Sequence, residues 1–407
     1  MPFQTGFAMS RLSVLFRTLT IFSLCCALAG CNTTQQTDVT SKDWQPNVAT
    51  DWPVDTADRV GFDPAQLDTL VQDIANNRYG NTHAVLIAHK GKLVFERYFS
   101  GSDQRWGRDI GQRYFDLNSL HDVRSISKSV TSLLVGQAFQ DEITQHGVDH
   151  FVATPLNTFL PWIQFDNDKL DITLEHTLTM TTGLQWYEMT EPYTSGKNDE
   201  IRLYRQRDPA QFVVSRPVVY FPGRMWYYSG GTTQVLASII SEKTGKTIDE
   251  YAEEVLFGPL GITNYEWLGS NTWKPNNPAA ASGLRLTARD LTKLGQLFLD
   301  DGQWLGQQVI DPEWLAASSQ RTVSHVGDWS DNGMWGYGYQ WWIGDTDLAQ
   351  TPQKQRIIAG VGNGNQRLYI LPDHELVVTI YAGDYNAFSQ HSQDILFKIL
   401  AAKSSPE

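Results

Sequence analysis

Cysteine is scarce in this sequence and is confined to one end of it. Cys25, Cys26 and Cys31 are the only three in 407 residues. If the chain is cut before Cys31, a single cysteine remains and no disulfide can form within the chain. The stability of the fold must then come from a large apolar core.

Long apolar runs are also scarce. Residues 19–30, LTIFSLCCALAG, follow Arg11 and Arg17 and are too few to span a bilayer as a stable helix. The run ends in Leu-Ala-Gly-Cys, which is similar to the bacterial lipobox, where the cysteine is lipidated after cleavage before it. The pattern predicts a lipoprotein signal peptide over residues 1–30. An ordinary signal peptide cut elsewhere is the alternative.

The segment that follows predicts a location. The polar residues of 31–60 suit a flexible tether, and Cys31 would carry the lipid. We therefore expect a protein anchored in the bacterial cell envelope and facing the periplasm. Asn32 is not the aspartate associated with inner-membrane retention in enteric-type sorting, which favours the outer membrane.

Positive charge is in deficit. The net charge is −13, and loss of Arg11 and Arg17 with the signal peptide would take it to −15. No basic stripe is available to neutralise phosphates, which argues against nucleic acid as a partner. Anionic lipid would repel such a body, so the lipid on Cys31 alone should hold it to the membrane.

The hydrophobic period changes twice along the chain. Residues 83–101 alternate about Lys90-Gly91 and predict a β-hairpin. Residues 141–330 are mainly helical in pattern, with one helix capped by Thr287 and another ending at Gly245. Strand-like segments then return, and the closing stretch SQDILFKILAA predicts a helix.

This order predicts an α+β protein. One antiparallel sheet would be built from both chain ends and flanked by helices, with an all-helical domain inserted. The sheet domain would comprise residues 61–140 plus 331–407, and the helical domain residues 141–330. Their boundary would form a cleft, where small-molecule sites tend to lie.

The stretch Ser125-Ile126-Ser127-Lys128 begins a predicted helix. Positions i and i+3 share a helix face, so the Ser125 hydroxyl and the Lys128 amine can come within hydrogen-bond reach. A lysine with a lowered pKa could take the serine proton, and the helix N-terminus favours an oxyanion. The alternative is a capped helix start with a solvated lysine, because so short a motif also occurs by chance.

The surrounding segments resemble one family. DVRSISKSVTSLLVG is similar to the nucleophile helix of the serine β-lactamase-like hydrolases, which include class C β-lactamases, penicillin-binding proteins, family VIII esterases and 6-aminohexanoate-dimer hydrolases. ITLEHTLTMTTGLQW, RPVVYFPGRMWYYSGGTTQVLASII, AASGLRLTARDLTKLGQLFLDDGQWLG and GYGYQWWIG resemble further family segments in order and spacing. The resemblance implies a β-lactamase/transpeptidase-like fold and makes Ser125 and Lys128 candidate catalytic residues.

The resemblance also implies a catalytic tyrosine, which maps onto Tyr228, with Tyr227 as the neighbouring alternative. A phenol beside a lysine ammonium is expected to have a lowered pKa and to pass a proton to the leaving group. The family's β-lactamases have Tyr-x-Asn here, whereas this chain has Gly230 at the third position. The Tyr-x-Gly form is more similar to the esterase and amide-hydrolase branches.

The family's third motif, Lys-Thr-Gly on an edge strand, has no counterpart with a lysine in IIAGVGNGNQRLYILP. Lys243-Thr244-Gly245 matches in letters but lies at the end of a predicted helix, where lysine and glycine suit a helix C-terminus. We expect the oxyanion hole to combine the Ser125 N–H with one N–H among Gly362, Asn363, Gly364 and Asn365.

Other polar and aromatic residues have structural explanations. His146 and His150 lack the zinc-protease glutamate, so no metal site is expected, and His176 suits a buried structural role. Glu188 and Glu191 could orient a cationic substrate, although solvated loop charges are commoner. Trp186 is the strongest candidate for a pocket wall, with core packing the alternative for the other aromatics considered, Tyr187, Trp341 and Trp342.

The sequence therefore predicts a serine hydrolase that cleaves small esters or amides through an acyl-enzyme on Ser125, with Lys128 and Tyr228 moving protons. No metal or organic cofactor is expected. A cell-wall D-Ala-D-Ala-type peptidase or weak β-lactamase is the alternative within the same chemistry. A non-catalytic binding protein on the same fold is the alternative of another class.

Overall fold

A computed structural model describes residues 52–270, 277–326, 335–346, 355–387 and 389–403. The predicted signal peptide, Cys31 and most of the predicted tether lie outside these residues. The described strands are β1 Thr82–His89, β2 Lys92–Tyr98, β3 Ser100–Arg105, β4 Arg108–Tyr114, β5 His121–Asp122, β6 Tyr265–Trp267, β7 Leu284–Leu286, β8 Gln303–Trp304, β9 Gln307–Gln308, β10 Trp335–Tyr337, β11 Trp342–Thr346, β12 Gln355–Gly362, β13 Gln366–Leu371 and β14 Leu376–Ala382.

Helices fill most of the region between the strands. They are α1 Pro64–Ala75, α2 Ile126–Ala138, α3 Gln140–His146, α4 Val148–Val152, α5 Leu174–Leu178, α6 Asp199–Leu203, α7 Pro209–Val214, α8 Gly230–Thr244, α9 Ile248–Ala252, α10 Ala288–Leu299, α11 Pro312–Ser318 and α12 His391–Ala402. Thr287 caps α10 by accepting the Asp290 N–H, and Gly245 ends α8 with φ 71°. These caps and the closing helix α12 confirm the predictions.

The central sheet joins the two ends of the described chain. Its order is β10-β11-β12-β13-β14-β1-β2, and every pair is antiparallel. Lys90 and Gly91 form the predicted hairpin turn, both with positive φ, as a two-residue turn between twisted strands favours. The α+β class and the sheet built from both ends are thereby confirmed.

Helices cover both faces of the sheet. Alternate residues of β1 explain this, because Leu86 packs in the core with α2 and α10 while Ile87 packs in the core with α1 and α12. Helix α10 belongs to the range predicted as the helical domain, yet it lies on the sheet. Its Gly295 allows this approach, since a Cβ there would stand 2.6 Å from Val377.

Helix α2 lies in the middle of the molecule, between the sheet and the helices of the 141–330 range. A Cβ on Gly360 of β12 would stand 2.9 Å from Ile126, and one on Gly136 would stand 2.3 Å from Trp314. Small residues thus let a strand and a helix approach α2 closely. The N-terminus of α2, with Ser125, is held where these layers meet.

A three-stranded sheet, which the sequence analysis did not predict, fixes the chain just before α2. Its order is β5-β7-β6, so the two residues of β5 pair with Leu284–Leu286, and these pair with Tyr265–Trp267. Strands this short carry no detectable alternation. They lie partly within the predicted helical range and bring residues 265–286 beside the segment that leads into Ser125.

Candidate active site

Ser125 and Lys128 come together at the start of α2. Ser125 is the residue before the first helical turn, and the Lys128 Nζ donates to its Oγ at 3.2 Å. Lys128 is only 1% exposed and also donates to the Ala281 carbonyl oxygen at 3.0 Å. The i,i+3 spacing therefore yields a desolvated lysine directed at a serine hydroxyl, whereas the alternative, a solvated lysine, does not occur.

Tyr228 completes the group from the turn before α8. Its phenol forms a hydrogen bond with the Ser125 hydroxyl, and the Lys128 Nζ lies 4.8 Å from the centre of its ring. Trp226 and Trp342 pack around the ring at centroid distances of 6.0 and 6.2 Å. Of the two neighbouring tyrosines considered from sequence, Tyr228 is thus the one that contacts Ser125.

The pKa of Tyr228 moves opposite to the expectation from sequence. Burial raises it well above 10, and the charge of Glu188 acts in the same direction, while the hydrogen bond to Ser125 opposes them less strongly. Removing water destabilises the phenolate more than the hydrogen bond to Ser125 stabilises it. The phenol is therefore neutral near pH 7 and is a proton donor rather than a ready base.

Glu188 and Glu200 form a buried carboxyl pair beside this group. They are 1% and 3% exposed, and a hydrogen bond joins them. Glu188 accepts from the Trp186 Nε1–H at 2.7 Å and the Tyr193 hydroxyl at 3.0 Å. Glu200 accepts from the hydroxyls of Tyr204 and Ser282. The interpretation of Glu188 as a solvated loop charge is therefore wrong.

One proton is shared within the pair. Burial and, after it, the charge of Glu200 raise the pKa of Glu188 to about 8, although Lys128 acts in the opposite direction. Burial also opposes ionisation of Glu200, but Lys128 and the hydrogen bonds from Glu188, Tyr204 and Ser282 lower its pKa overall. Near pH 7 the pair then holds one proton and one negative charge, which compensates the charge of Lys128.

Gly230 provides the space for this pair. Its N–H donates to Glu188 at 2.6 Å, and a Cβ on Gly230 would lie 3.2 Å from the Glu200 carboxyl carbon and 3.3 Å from a Glu188 oxygen. An asparagine at this position would therefore overlap the carboxyl groups. Gly230 therefore does more than remove the asparagine amide of the family's β-lactamases. Its lack of a side chain leaves the space that the Glu188 and Glu200 carboxyl groups occupy.

Strand β12 passes Ser125 with its glycines. A Cβ on Gly362 would lie 2.4 Å from the Val123 carbonyl oxygen, two residues before Ser125. The strand is not an edge strand over its whole length, because 355–359 pair with β11. Residues 360–362 extend past that partner and pair with β13. Among the described residues no strand pairs with 360–362 on that side, and this stretch lies beside the segment that leads into Ser125.

The residues after Gly362 turn away from the strand. Gly364 and Asn365 have φ 93° and 67°, and the Asn365 amide donates to Asp384 at 3.1 Å. Asn363 exchanges hydrogen bonds with Asn386. Of the predicted oxyanion residues, Gly362 packs against the segment leading to Ser125, while the Asn363 and Asn365 side chains brace the turn.

The family assignment follows from sequence comparison. A family model described as Beta-lactamase matches residues 67–401. The chain belongs to the beta-lactamase family. The predicted resemblance and the fold that it implied are thereby confirmed, and the chain is a member of a family of serine hydrolases.

Relatives within the beta-lactamase family differ in what they are named for. The 6-aminohexanoate-dimer hydrolase of Paenarthrobacter ureafaciens is 23% identical over 307 residues, covering 73% of this chain and 71% of its own. EstCE1, described as a hydrolase with promiscuous acyltransferase activity, has a TM-score of 0.63 at 18% identity and covers 83% and 97% of the two chains. A class C beta-lactamase gives 0.59 at 15%, covering 84% and 97%. At such identities the structures show the shared fold alone.

Trp186 does not line a pocket in this member of the beta-lactamase family. It is 2% exposed, it covers Gly231, and its indole N–H is spent on Glu188. Trp341 is buried in the core, and Tyr187 is 41% exposed. The expectation of a pocket wall at Trp186 is therefore wrong, because the residue supports the carboxyl pair from behind.

Glu191 lies apart from the reacting groups. Glu191 lines a surface cleft of about 370 Å³ whose other lining residues are Tyr187, Gly196, Lys197 and Arg202, so Ser125, Lys128 and Tyr228 are not among them. Its carboxylate accepts the Ser195 hydroxyl at 3.0 Å. Glu191 and Glu188 are three residues apart in sequence, but Glu188 belongs to the buried carboxyl pair and Glu191 lies at the surface cleft.

The motifs set aside in sequence also have structural partners. Lys243 pairs with Glu142 at the end of α8, so the Lys-Thr-Gly letters there serve a helix terminus. The His176 ring accepts the Thr173 N–H at 3.2 Å and caps α5, a structural role. The rings of His146 and His150 lie 5.3 Å apart.

Arg124 is a site residue that the sequence analysis missed. Its φ of 51° places a non-glycine residue in the left-handed region directly before Ser125. An ion pair to Asp122 at 3.1 Å and stacking on Tyr385 at 4.6 Å hold it there. Such strain, about 1–3 kcal/mol, persists where the surroundings fix it, commonly at active sites. No sequence pattern marks a left-handed arginine.

Proposed function

We propose that this protein is a serine hydrolase that cleaves small esters or amides through an acyl-enzyme on Ser125. The observation that carries the proposal is the arrangement of Lys128 and Tyr228 on one hydroxyl, with the Lys128 Nζ 3.2 Å from it. A buried lysine directed at a serine hydroxyl is an arrangement that can activate the serine as a nucleophile.

The proton path follows from the contacts. Lys128 first releases to water the proton that makes it cationic, and its amine then takes the Ser125 proton as Oγ bonds to the substrate carbonyl carbon. The carbonyl oxygen becomes an oxyanion held by the Ser125 N–H and an N–H from Gly362–Asn365. Tyr228 donates its proton to the leaving group as that bond breaks and regains one from Lys128. Water then repeats the sequence on the acyl-enzyme and releases the acid.

An apolar acyl or leaving group is the substrate feature we propose. Residues 219–225 lead into Tyr228 and expose Val219, Tyr220, Phe221 and Met225, with Phe221 82% exposed. Gln355–Gly362 has no lysine to pair with a substrate carboxylate. A neutral ester or amide therefore suits the site better than a penicillin or a D-Ala-D-Ala peptide, both of which carry that carboxylate.

Hydrolysis of p-nitrophenyl butyrate by the purified full chain tests this proposal. Ser125→Ala should lose at least about 10³-fold in kcat/KM. Ser132→Ala is the matched control, because its buried hydroxyl in the same helix has no hydrogen-bond partner among the described residues. A serine-directed phosphonate should label the wild type and the control but not Ser125→Ala.

The same proteins separate the alternatives. Stable acylation by penicillin with no ester turnover would favour the peptidase. Rapid penicillin hydrolysis would favour the β-lactamase. Neither turnover nor phosphonate labelling in the folded wild type would overturn the enzymatic proposal in favour of a binding protein.

We further propose that lipid on Cys31 anchors the protein in the cell envelope, facing the periplasm and in the outer membrane. The support is the sequence of the first 32 residues. Within the described ranges, no helix has the length and apolarity to cross a bilayer. Cys31→Ala should release the protein from the membrane fraction and abolish fatty-acid labelling, and an unchanged membrane fraction would contradict the anchor.

A further inference from the structure

Three buried side chains meet on the sheet side of Ser125. His83 comes from β1, Asp103 from β3 and His121 from β5, and they are 0%, 2% and 0% exposed. One nitrogen of each histidine and one Asp103 oxygen all lie within 4.8 Å of one another. This cluster has no part in the proposed reaction, so its composition requires a separate explanation.

The outer nitrogen of each imidazole must carry a hydrogen. The Asn81 amide nitrogen donates to the Ser102 carbonyl oxygen at 2.8 Å, which fixes the amide with its oxygen 3.0 Å from His83 Nε2. His121 Nδ1 lies 3.1 Å from the Asp122 carbonyl oxygen. Both partners are acceptors only, so His83 Nε2 and His121 Nδ1 are the N–H atoms.

The inner nitrogens are then left without a hydrogen. A neutral imidazole has one N–H, so His83 Nδ1 and His121 Nε2 both present lone pairs, and they face each other at 2.9 Å. An Asp103 oxygen lies 3.5 Å from the same His121 nitrogen. Two lone pairs and a carboxylate converge on one point, and only a cation stabilises that arrangement.

We propose that His83 Nδ1, His121 Nε2 and Asp103 Oδ1 bind a divalent first-row transition metal of the zinc class. Two imidazoles and a carboxylate are ligands that such ions take. In tetrahedral coordination with metal–ligand bonds of about 2.0–2.1 Å, two ligand atoms lie about 3.3 Å apart. The separations from His121 Nε2 to His83 Nδ1 and to the Asp103 oxygen, 2.9 and 3.5 Å, lie on either side of that value.

The surroundings match a metal better than a shared proton. In metal sites the second ring nitrogen typically donates to a carbonyl or amide oxygen, as both do here. The Tyr385 hydroxyl donates to Asp103 at 2.7 Å and orients the carboxylate.

Nearby cations are compensated. Arg124 and Arg285 face His121, and Asp122, which is 1% exposed, pairs with them at 3.1 and 2.8 Å. On the other side Asp384 adds negative charge near His83. The pocket as a whole is thus not cationic, and a divalent ion is not repelled from it.

The position suggests a structural role. The ion would join strands β1, β3 and β5, and β5 ends three residues before Ser125. It would therefore stabilise the segment that holds Arg124 and Ser125 in place. The sequence analysis expected no metal, because it considered only the close pair His146 and His150.

Metal content and melting temperature of the full chain test the proposal. After treatment with a chelator and addition of Zn²⁺, mass spectrometry of the metal should give about one zinc per chain, and Tm should rise by about 5 °C at saturating metal. His83→Gln should lose both effects. His146→Gln is the matched control, because it alters a histidine that neighbours another histidine, His150, away from the proposed site, and it should keep both effects.

A second variant, Asp103→Asn, tests the site if His83→Gln does not fold. Asp103→Asn preserves shape, and it should weaken Co²⁺ binding, followed by the visible absorption of the bound ion, by at least about tenfold. Unchanged Co²⁺ affinity would overturn the assignment. So would the absence of bound metal and of any Tm shift in the wild type, in which case a shared proton fills the gap. Loss of metal in His146→Gln but not in His83→Gln would place the ion elsewhere.

Discussion

Two buried polar clusters flank Ser125, and they differ in what balances their charge. On the helical side, Glu188 and Glu200 compensate the charge of Lys128 and share a proton. On the sheet side, the histidines lack a proton where they meet. The first cluster interacts electrostatically with Lys128, whereas the second joins the strands that lead into Ser125. Burial alone therefore does not identify a catalytic cluster.

Removing one cation from each side should show the largest difference. Lys128→Met should lower kcat for a p-nitrophenyl ester by about 10³-fold or more, because the serine loses its base. Arg124→Met, which removes the other cation near Ser125, should lower kcat less than about tenfold, since Arg124 acts on the backbone. Equal losses of kcat in Lys128→Met and Arg124→Met would contradict the different roles assigned to the two sides of Ser125.

The carboxyl pair should dominate the pH dependence of stability. The raised pKa of Glu188 gives stability that is present at acid pH and is lost as pH rises towards and through about 8. A shift from 4.5 to about 8 in a fully buried group corresponds to an effect on the order of 5 kcal/mol. Tm of the wild type should therefore fall as pH rises from about 5 to about 8 and change little above that.

Amide variants separate the two acids. Glu188→Gln cannot ionise, so its Tm should change much less over the same pH range. Glu200 has a lowered pKa, so its contribution is lost as pH falls, and Glu200→Gln should flatten the acid side instead. If Glu188→Gln retains the full alkaline decline, another group causes it.

Adjacent glycines on the helical side should tolerate a methyl group unequally. A Cβ on Gly231 would lie 2.6 Å from the Trp186 ring, whereas one on Gly230 would lie 3.2 Å from its nearest neighbours. Gly231→Ala should therefore destabilise the fold by about 1–3 kcal/mol in urea unfolding, and Gly230→Ala by less. The reverse order would show that the carboxyl pair is more rigid than the indole behind it.

The smallest predicted effect concerns the backbone before Ser125. Arg124→Gly and Arg124→Ala both lose the ion pair and the stacking on Tyr385, but glycine adopts φ 51° without strain. Arg124→Gly should be more stable than Arg124→Ala by about 1 kcal/mol. Thermal unfolding measures the difference, and an equal Tm would mean that residue 124 relaxes out of the left-handed region.

The sequence sufficed for features that depend on local spacing. The period of two predicted the hairpin at Lys90-Gly91, and the i,i+3 rule predicted the approach of Ser125 and Lys128. The family resemblance then supplied Tyr228. These features could be predicted because each depends on neighbours within one element or on a motif with fixed order.

Features that depend on distant partners could not be predicted. Glu188 is buried because Trp186, Tyr193, Glu200 and Gly230 surround it, and the last is 42 residues away. His83 and His121 are 38 residues apart on strands of different sheets. A charged or imidazole side chain looks the same in a sequence whether water or another buried group satisfies it.

The pairing of an early strand with a late strand in the central sheet has a consequence for how the protein folds during synthesis. Strand β1 pairs with β14, and Thr82 lies opposite Ala382. The backbone hydrogen bonds between these two strands cannot form until residue 382 has been synthesised. Contacts of such long sequence separation slow folding. Nascent chains would keep the β1 edge of the β1–β2 hairpin unpaired, in a state accessible to chaperones or to export machinery. A chain truncated before β14 should therefore aggregate rather than fold partially.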